Sequence, residues 1–291
     1  PRGGSTEAEG PGAPRGPSGA DRRAADDRRF RARPGTSTDR IPPVPEGDTV
    51  FRAARRLNTA LAGATATRFE LRVPQAATVD LTGEVVHSVV SRGKHLLHRI
   101  GPWTLHTHLK MEGEWHVYRR GERWHAPGFR ARAVIGARAP DGTEWETVGF
   151  DLADIKVVPT AAEDELVGYL GPDPLSDSWD PVTAAQNLAA DPRAVHVALQ
   201  DQRNVAGFGN EYVNEILFVR GVLPTTPANE TDAAAMIDLG ARMIRANRDR
   251  SGRTFTGDAR AGRSTWVYRR EGRPSRRCGT LHPRGRPGAR P

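Results

Sequence analysis

Two glycine-containing segments have the residue types and spacing of a phosphate contact. Lys94 directly follows a glycine, where the backbone can approach a ligand closely, and its ammonium group could bind a phosphate. Gly207 and Gly209 lead into an expected helix start at Asn210, where backbone N–H groups bind anions. The first segment could equally be a solvated turn, and the second a tight connection between helices. The residue types therefore permit a phosphate site without requiring one.

One strand-like segment alternates apolar and polar residues, which would place His106, His108 and Lys110 on one face. The opposite face would carry Trp103, Leu105, Leu109 and Met111. Two histidines two positions apart could bind a metal ion, but no Asp, Glu or Cys stands at a matching spacing, so we predict no metal site. Met111 lies where the strand runs into a glycine turn. It could belong to the core or be an apolar wedge that enters a stack of DNA bases.

A helix is predicted to begin with Asp48 or Thr49 as its N-cap and to end near Gly63, because apolar residues recur between them at helical spacing. Pro45 and Glu46 are left just outside the positive end of the helix dipole. We place the chemistry of the chain at this point, with the other motifs arranged around it. Judged by spacing alone, the segment is only a capped helix.

Short runs rich in valine, threonine and aromatic residues extend from about Val73 to Pro159 and predict strands. Glycine and proline turn signals separate these runs, which favours an antiparallel sandwich over a parallel sheet. The expected strands are 82–90, 95–100, 103–111, 114–118, 131–135, 144–150 and 155–158.

Helices are expected in the second half of the chain. The segment Leu170–Leu175 has too many glycines and prolines for the interior of a helix or strand, and it marks a hinge. Beyond it, apolar residues recur at helical spacing, and Asp191, Asn210 and Thr231 are the expected N-caps. The expected helices are 181–190, 192–200, 210–220 and 231–247.

The composition suggests nucleic acid as a partner. The 291-residue chain has a formal net charge of +8 and a pI near 10.4. No apolar run approaches the roughly 20 residues of a membrane span, and the single cysteine, Cys278, fits a reducing cytoplasm. Residues 1–43 have no periodic apolar pattern and are predicted to be disordered. In 260–291, ten arginines against one acid suit either a phosphate contact or a disordered basic tail.

Taken together, the motifs resemble those of the formamidopyrimidine-DNA glycosylase and endonuclease VIII family of base-excision repair enzymes, and look most like its endonuclease VIII-type bacterial members. The resemblance runs from about Val44 to Thr280. Each motif is weakly specific alone, but their order and spacing across most of the chain are strongly specific. The motifs are 45–50 (PEGDTV), 92–96 (RGKHL), 108–113 (HLKMEG), 170–175 (LGPDPL) and 201–212 (DQRNVAGFGNEY).

The resemblance implies an α+β multi-domain protein that grips double-stranded DNA with damaged bases or abasic sites between two lobes and flips the damaged base out. Its parts would be an N-terminal antiparallel β-sandwich with the first helix, a hinge, a helix-two-turn-helix module and a degenerate or truncated zinc-finger region. The corresponding ranges are 44–165, 166–180, 181–259 and 260–291, after a disordered extension of residues 1–43. We expect a monomer in the cytoplasm, associated with the nucleoid.

The resemblance also implies three catalytic residues. Pro45 corresponds to the N-terminal proline whose secondary amine attacks C1′, expels the base and leaves an iminium. An α-amine has a reference pKa of about 7.7–8.0, and the adjacent helix N-terminus should lower it, so a neutral fraction exists at physiological pH. Glu46 corresponds to the general acid/base that assists sugar-ring opening, and Lys94 to the lysine that contacts the phosphate beside the lesion. Elimination would then cut the strand, and oxidised pyrimidines are the expected bases.

Six further residues correspond to DNA contacts in the family. They are Lys110, Met111, Glu112, Gly207, Gly209 and Asn210. Met111 falls on the wedge that fills the gap left by the flipped base, with its two neighbours beside it. Asn210, with the backbone of Gly207 and Gly209, falls on the phosphate grip of the helix-two-turn-helix.

The C-terminal region departs from the family pattern. The family's finger begins with a Cys-x2-Cys pair, but Ser275 stands at the first position here, and no second pair occurs in the 11 residues after Thr280. A closed zinc site needs four ligands, whereas Cys278 and His282 offer two. We therefore predict no zinc in this region and no cofactor for the enzyme.

The other departure is that 44 residues precede Pro45, and a proline within the chain has no amine with which to attack. Val44 stands where the family has its initiator methionine, and a GTG codon encodes valine internally but methionine as a start. We therefore expect that the native protein begins at Pro45 and that residues 1–43 are not normally made. The alternative is a DNA-damage- or structure-binding protein of the same fold without catalysis. Both departures favour it, whereas the intact Pro45, Glu46 and Lys94 favour the enzyme.

Overall fold

The structure is a computed structural model that describes residues 3, 4 and 44–282. The chain divides into two units, Pro1–Pro43 and Val44–Pro291, and the fold below is that of the second unit. The predicted disorder of residues 1–43 falls almost wholly outside the described residues. The same holds for residues 283–291 of the expected basic tail.

Within residues 44–282, the strands form two four-stranded antiparallel sheets. The strands are β1 (Thr65–Leu71), β2 (Val86–Arg92), β3 (His95–Ile100), β4 (Trp103–His108), β5 (Glu114–Arg119), β6 (Ala131–Arg138), β7 (Glu144–Phe150) and β8 (Asp154–Pro159). One sheet has the strand order β1-β6-β7-β5, and the other has the order β2-β3-β4-β8. Side chains of both sheets, such as Ile135 and Leu105, belong to one buried core, so the sheets are the two layers of the predicted sandwich.

The first helix, α1 (Gly47–Leu61), packs its apolar stripe, which includes Leu57, into the core of the sandwich. The N-cap of α1 is Glu46, so the prediction of Asp48 or Thr49 was wrong. Asp48 lies in the first turn instead, where its carboxylate is fully buried against an arginine from the other end of the chain. The side chain of Asp48, which local spacing had predicted as the N-cap, therefore forms a tertiary ion pair instead.

The bounds of two strands were predicted correctly, and those of the other predicted strands differ by one to four residues at their ends. β3 and β7 have the predicted bounds, but β1 was missed because we placed the start of the β-region at Val73. Burial alternates along β1, yet the strand follows the first helix so closely that the change of period is hard to see in the sequence. β4 ends three residues earlier than predicted, because Lys110 has a φ of +50° and the Gly113 N–H donates to the Leu109 carbonyl in a turn.

The prediction of one apolar and one polar face on β4 was also wrong. β4 lies between β3 and β8 in its sheet, and side chains on both of its faces are covered. His106 is only 5% exposed, whereas Trp103 on the expected apolar face is 37% exposed. Met111 is 63% exposed, so it is not a core residue in this structure.

The helical half of the chain is built around a second buried core that includes Phe208, Tyr212 and Ile216. No helix among the described residues is long and apolar enough to cross a membrane. The helices in this half are α2 (Asp164–Val167), α3 (Pro181–Ala189), α4 (Val195–Gln200), α5 (Asn210–Arg220) and α6 (Ala233–Asn247). α5 has the predicted bounds, whereas α3, α4 and α6 differ from the prediction by one to three residues at one end. The short helix α2 was not predicted.

The predicted N-caps of these helices were not the ones found. Asp180 caps α3 and Asp232 caps α6, each with its carboxylate accepting backbone N–H bonds. Asn210 is the first residue of α5, whose N-cap is the glycine before it. The carboxylate of Asp191 instead accepts hydrogen bonds from Arg193. Neighbouring polar residues compete for each cap, and local sequence does not determine which one wins.

The predicted hinge segment Leu170–Leu175 connects the two halves and is bonded to both. The Gly171 N–H donates to the carbonyl of Gln202 at 2.9 Å in the helical half. On the other side, Asp173 Oδ2 accepts the N–H of Gly93 at 2.7 Å in the sandwich. The segment thus fixes the turn between β2 and β3 against the loop that precedes α5.

Candidate active site

Glu46 lies where the N-termini of α1 and α5 meet. Its side chain is 1% exposed, with Oε2 accepting the Gly209 N–H at 2.9 Å and Oε1 accepting the Glu211 N–H at 2.8 Å. The Gly47 N–H donates to the Gly207 carbonyl at 3.0 Å, so the backbones of the two segments are in direct contact. The N-cap residue of α1 therefore satisfies the N–H groups that the start of α5 leaves unpaired.

Lys94 approaches Glu46 above the backbone of Gly209. A Cβ atom on Gly209 would stand 2.6 Å from Lys94 Nζ and 2.8 Å from Glu46 Cδ, so only glycine leaves room for both side chains. Burial lowers the pKa of Lys94, and the charge of Glu46 partly opposes this shift. Burial raises the pKa of Glu46, against the charges of Arg253 and Lys94. The site thus holds an amine and a carboxyl group whose pKa values have moved toward each other.

The turn that carries Lys94 is packed against the helical half. Gly93 is buried and has a φ of +57°, and a Cβ atom there would stand 3.2 Å from the Cβ of Ala206. The interpretation of this segment as a solvated turn is therefore wrong. The requirement for a left-handed, closely packed residue explains why a glycine precedes the lysine.

Arg253 joins Asp48 and Glu211 beneath this site. Its Nε and Nη2 donate to the two carboxylate oxygens of Asp48 at 2.9 and 2.6 Å, and its Nη1 donates to Glu211 Oε2. The Arg253 side chain is 4% exposed and that of Asp48 is fully buried. Nη2 also donates to Thr49 Oγ1 at 3.0 Å, and the guanidinium lies 5.3 Å from the centre of the Tyr212 ring. Burial acts to raise the pKa of Asp48, but the bonds and charge of Arg253 outweigh it and lower that pKa.

Sequence reasoning missed Arg253 altogether. It is 205 residues from Asp48 and stands in a segment with no motif, so no spacing rule could have paired them. Its guanidinium is also 3.5 Å from the Val44 carbonyl, which places a fixed positive charge close to the start of the Pro45–Glu46 segment. Pro45 itself is partly exposed.

The predicted phosphate grip is only partly available at the protein surface. The Gly207 N–H donates to Gln202 Oε1 at 2.8 Å, and the Gly209 N–H is taken by Glu46, so neither is free for a phosphate in this structure. Asn210 is exposed, and its side-chain oxygen accepts a bond from Asn214 at 2.9 Å. The two glycines allow neighbouring groups of the protein to approach the backbone closely, and the exposed Asn210 is the group that can reach a ligand.

The residues expected at the wedge form a separate exposed turn between β4 and β5. Lys110 Nζ lies 3.0 Å from Asp154 Oδ2, and Met111 and Glu112 are exposed. Among the described residues, no hydrogen bond or ion pair joins this turn to Glu46. The structure therefore places the wedge candidates on a surface feature of their own.

A histidine cluster follows Lys94 on the sheet. His95 Nδ1 is 2.7 Å from His106 Nε2, and His95 Nε2 is 3.1 Å from the Tyr169 hydroxyl. Burial, together with neighbouring cationic groups, lowers the pKa of His95 to about 3 and that of His106 to about 4. These rings are therefore neutral at physiological pH and add no positive charge beside the lysine.

Ser275, which stands at the expected first position of a Cys-x2-Cys pair, lies in a hydrogen-bonded turn. Ser275 Oγ accepts the N–H bonds of Arg277 at 3.2 Å and Cys278 at 3.4 Å, and the Ser275 N–H donates to the Thr280 carbonyl at 2.7 Å. This region is anchored on α5, because Glu215 accepts three consecutive backbone N–H groups of residues 266–268 at 2.8–3.0 Å.

Comparison with known proteins identifies the family. Residues 44–157 match the family model of the formamidopyrimidine-DNA glycosylase N-terminal domain. Residues 170–245 match that of the formamidopyrimidine-DNA glycosylase H2TH domain. The chain belongs to the formamidopyrimidine-DNA glycosylase family. The family inferred from the order of the motifs is thereby confirmed.

Relatives and solved structures agree with this assignment. The chain is 47% identical over 249 residues to the DNA-(apurinic or apyrimidinic site) lyase Nei2 of Mycolicibacterium smegmatis, covering 85% of this chain and 95% of that protein. It is also 47% identical over 243 residues to a probable endonuclease 8 2 of Streptomyces coelicolor, covering 81% and 86%. A structure of MutM in complex with DNA containing carbocyclic 8-oxo-G has a TM-score of 0.67 at 22% identity, covering 84% and 96%. The predicted fold of a β-sandwich followed by a helix-two-turn-helix is confirmed, and the degenerate or truncated zinc-finger region stays a prediction.

Proposed function

We propose that this chain is a bifunctional DNA glycosylase and AP lyase of base-excision repair. The observation that carries the proposal is the pairing of the buried Glu46, which directly follows Pro45, with the half-buried Lys94, whose pKa is shifted in the opposite direction. Perturbed acid and base groups brought together in this way are typical of catalytic sites, and a protein that only binds DNA has no need of them. The names of the relatives, a lyase at abasic sites and an endonuclease 8, point to the same activity.

In the first step, the amine of Pro45 attacks C1′ of the damaged nucleotide. Its lone pair forms the N–C1′ bond, and the electron pair of the broken C1′–base bond leaves with the base, which takes up a proton. The amine then loses its proton, and cleavage of the C1′–O4′ bond opens the sugar and leaves an iminium ion. Glu46 protonates O4′ in this step, a role that suits a carboxyl group whose pKa is raised by burial.

The iminium ion then allows the strand to be cut. It acidifies the C2′ hydrogen, and loss of that proton expels the 3′ phosphate in β-elimination. Loss of a second proton from C4′ expels the 5′ phosphate in δ-elimination. Glu46, now a carboxylate, accepts a proton in these steps, and water finally hydrolyses the imine to release the proline amine. None of these steps calls for a cofactor.

DNA would be held by residues from both halves of the protein. Lys94 contacts the phosphate beside the lesion, and Asn210 at the start of α5 contacts a second phosphate. Met111, which is 63% exposed, enters the gap left by the flipped base, with Lys110 and Glu112 beside it. The contacts to phosphate carry no sequence information, which suits an enzyme that searches for damage.

The reaction requires the nitrogen of Pro45 to be a free secondary amine. We propose that the active form has Pro45 as its first residue, since a peptide nitrogen bonded to Val44 cannot attack. Arg253, whose guanidinium lies 3.5 Å from the Val44 carbonyl, and the positive end of α1 would both lower the pKa of that amine. A larger neutral, nucleophilic fraction would follow at physiological pH.

The remaining assignments rest on the family. We propose a catalytic domain over 44–165, a hinge over 166–180, a helix-two-turn-helix domain over 181–259 and a finger remnant over 260–291. The preferred substrates are oxidised pyrimidines, because the relatives are named endonuclease 8. The enzyme acts as a monomer on chromosomal DNA in the cytoplasm.

Borohydride trapping on abasic-site DNA tests the proposal. Reduction of the iminium gives a stable amine bond between protein and DNA, so the form that begins at Pro45 should be trapped through its N-terminal peptide and should cut the strand. The 291-residue chain should do neither. In the active form, Glu46→Gln should lose base excision, whereas Glu84→Gln, a change at an exposed acid, should not. Binding of abasic-site DNA without trapping or scission would instead establish a non-catalytic damage-binding protein.

A further inference from the structure

Strand β5 and the loop after it bring three metal-ligand side chains together. Glu114 and His116 lie two residues apart on β5, so their side chains leave the same face of the sheet. β5 is an edge strand, and the loop that follows it returns so that His125 reaches the same place. One ligand atom from each residue lies within 4.8 Å of the other two, and the described residues contain no other such group of three.

The carboxylate of Glu114 lies close to a ring nitrogen of each histidine. Glu114 Oε2 is 2.9 Å from His116 Nε2, and Glu114 Oε1 is 2.8 Å from His125 Nε2. The two imidazole rings are tilted against each other, with centroids 3.9 Å apart. Metal–ligand distances of about 2.0–2.2 Å in a tetrahedral zinc site place neighbouring ligand atoms about 3.3–3.6 Å apart. The two Glu114–histidine distances would therefore lengthen by about 0.4–0.8 Å around an ion.

The surroundings hold the His125 ring in place. Its Nδ1 is 2.7 Å from the Tyr118 hydroxyl, which also accepts the backbone N–H of His125 at 3.3 Å. The edge of the ring packs against Phe150, with centroids 4.8 Å apart. A histidine that binds metal through one nitrogen commonly donates from the other to a fixed acceptor, and the Tyr118 hydroxyl is such an acceptor. The arrangement leaves Nε2 directed at Glu114.

We propose that Glu114, His116 and His125 form a binding site for a divalent transition-metal ion of the zinc type. Two imidazoles and one carboxylate are a common ligand set for such ions, and side-chain exposures of 33–41% leave a fourth position for water. The ion would tie the loop before β6 to the sandwich, so its role is structural. The site is separate from the finger remnant around Cys278.

This site departs from our sequence-based prediction of no metal. That prediction considered two histidines on one strand, and it could not place His125, which is held by a loop. The proposal is independent of the catalytic one, because none of the three residues contacts Glu46 or Lys94 by a hydrogen bond in the described part of the chain.

Cobalt(II) is the probe, with zinc(II) as competitor. Metal-stripped protein is titrated without DNA, and one equivalent of cobalt should bind with a visible ligand-field absorption that zinc abolishes. His116→Gln and His125→Gln should each weaken cobalt binding by at least about tenfold, and Tyr118→Phe, which removes the partner of Nδ1, by about tenfold to a hundredfold. His87→Gln, a change at an exposed histidine of β2, is the matched control and should bind cobalt as the parent does.

Two further measurements keep the result unambiguous. Cys278→Ser should leave cobalt binding unchanged, and zinc should raise the thermal midpoint of the parent protein but not that of a folded His125→Gln variant. Absence of cobalt binding, or binding that is lost with Cys278→Ser and retained by His125→Gln, would overturn the proposal. Because the cobalt titration contains no DNA, its result does not affect the conclusion drawn from the trapping experiment on the glycosylase.

Discussion

Replacing Arg253 by methionine should destabilise the protein at neutral pH by about 3–5 kcal/mol, the usual cost of removing one member of a buried ion pair. The change removes two bonds to Asp48 and one to Glu211, where the arginine side chain is 4% exposed. Asp48 would keep bonds from the Thr49 N–H and from Arg52. Glu211 would keep no side-chain partner within the described residues. Methionine fills much of the same volume, so the loss comes from uncompensated charge rather than from a cavity.

This loss should shrink as the pH is lowered. In the parent protein, Arg253 holds the pKa of Asp48 below its ordinary value of 3.8. The stability from this pair is therefore present above that value and is lost only as the pH falls through the lower folded pKa. Without Arg253, burial dominates and raises the pKa of Asp48, so the folded variant takes up a proton that the unfolded chain does not. The variant is thus penalised at neutral pH and relieved as the pH approaches about 4.

Urea unfolding at pH 7 and at about pH 5 measures both effects. Arg242→Met is the matched control, because Arg242 pairs with Asp238 on the surface of α6 with side-chain exposures of 69% and 65%. Its loss should stay below about 1 kcal/mol. A loss for Arg253→Met no larger than that of the control, or one that grows on acidification, would refute the reasoning.

Three other changes test the proposed site. Lys94→Ala should slow excision of damaged bases more than cleavage at a preformed abasic site, because the lysine positions the intact nucleotide; equal losses in the two single-turnover assays would contradict this. Met111→Ala should weaken binding of lesion DNA in anisotropy titrations, with undamaged duplex as control, because the wedge offsets an unstacking cost of about a few kcal/mol; unchanged affinity would exclude the wedge. Gly209→Ala should lower the trapping yield of the active form at least about tenfold, because the methyl group would meet Lys94 Nζ and Glu46 Cδ at under 3 Å. Gly252→Ala, where an added Cβ meets nothing within 4 Å, should trap normally, and equal yields would show that the pair tolerates displacement.

Elements whose pattern is complete within a few turns or residues could be predicted from the sequence. The apolar stripe of α1, the bounds of β3 and β7, and those of α5 all follow from local periodicity and adjacent turn signals. The family followed from the order and spacing of five motifs. One of these motifs contains Gly93, whose left-handed φ favours glycine at that position.

Predictions that depended on neighbours in space were less successful. β4 was expected to have a polar face, but its position between two strands buries His106. The N-caps of α1 and α5 were predicted to be side chains of their own segments. In the structure, Glu46 precedes α1, and its carboxylate accepts two N–H bonds at the start of α5 from residues that lie 163 and 165 positions further along the chain. A polar side chain forms whichever bond the fold presents, and several candidates near each helix end are equivalent in the sequence.

The partners of the buried charged groups could not be predicted from residue spacing. The chain has 43 basic residues, and nothing local distinguishes Arg253 from the others as the partner of Asp48. A buried carboxylate must be compensated, so the sequence requires that some partner exists. Which arginine reaches it depends on how the sandwich and the helical half pack together. The local sequence pattern therefore determined many of the helices and strands, and the order of the motifs determined the family. Long-range packing determined which charged groups pair at the site.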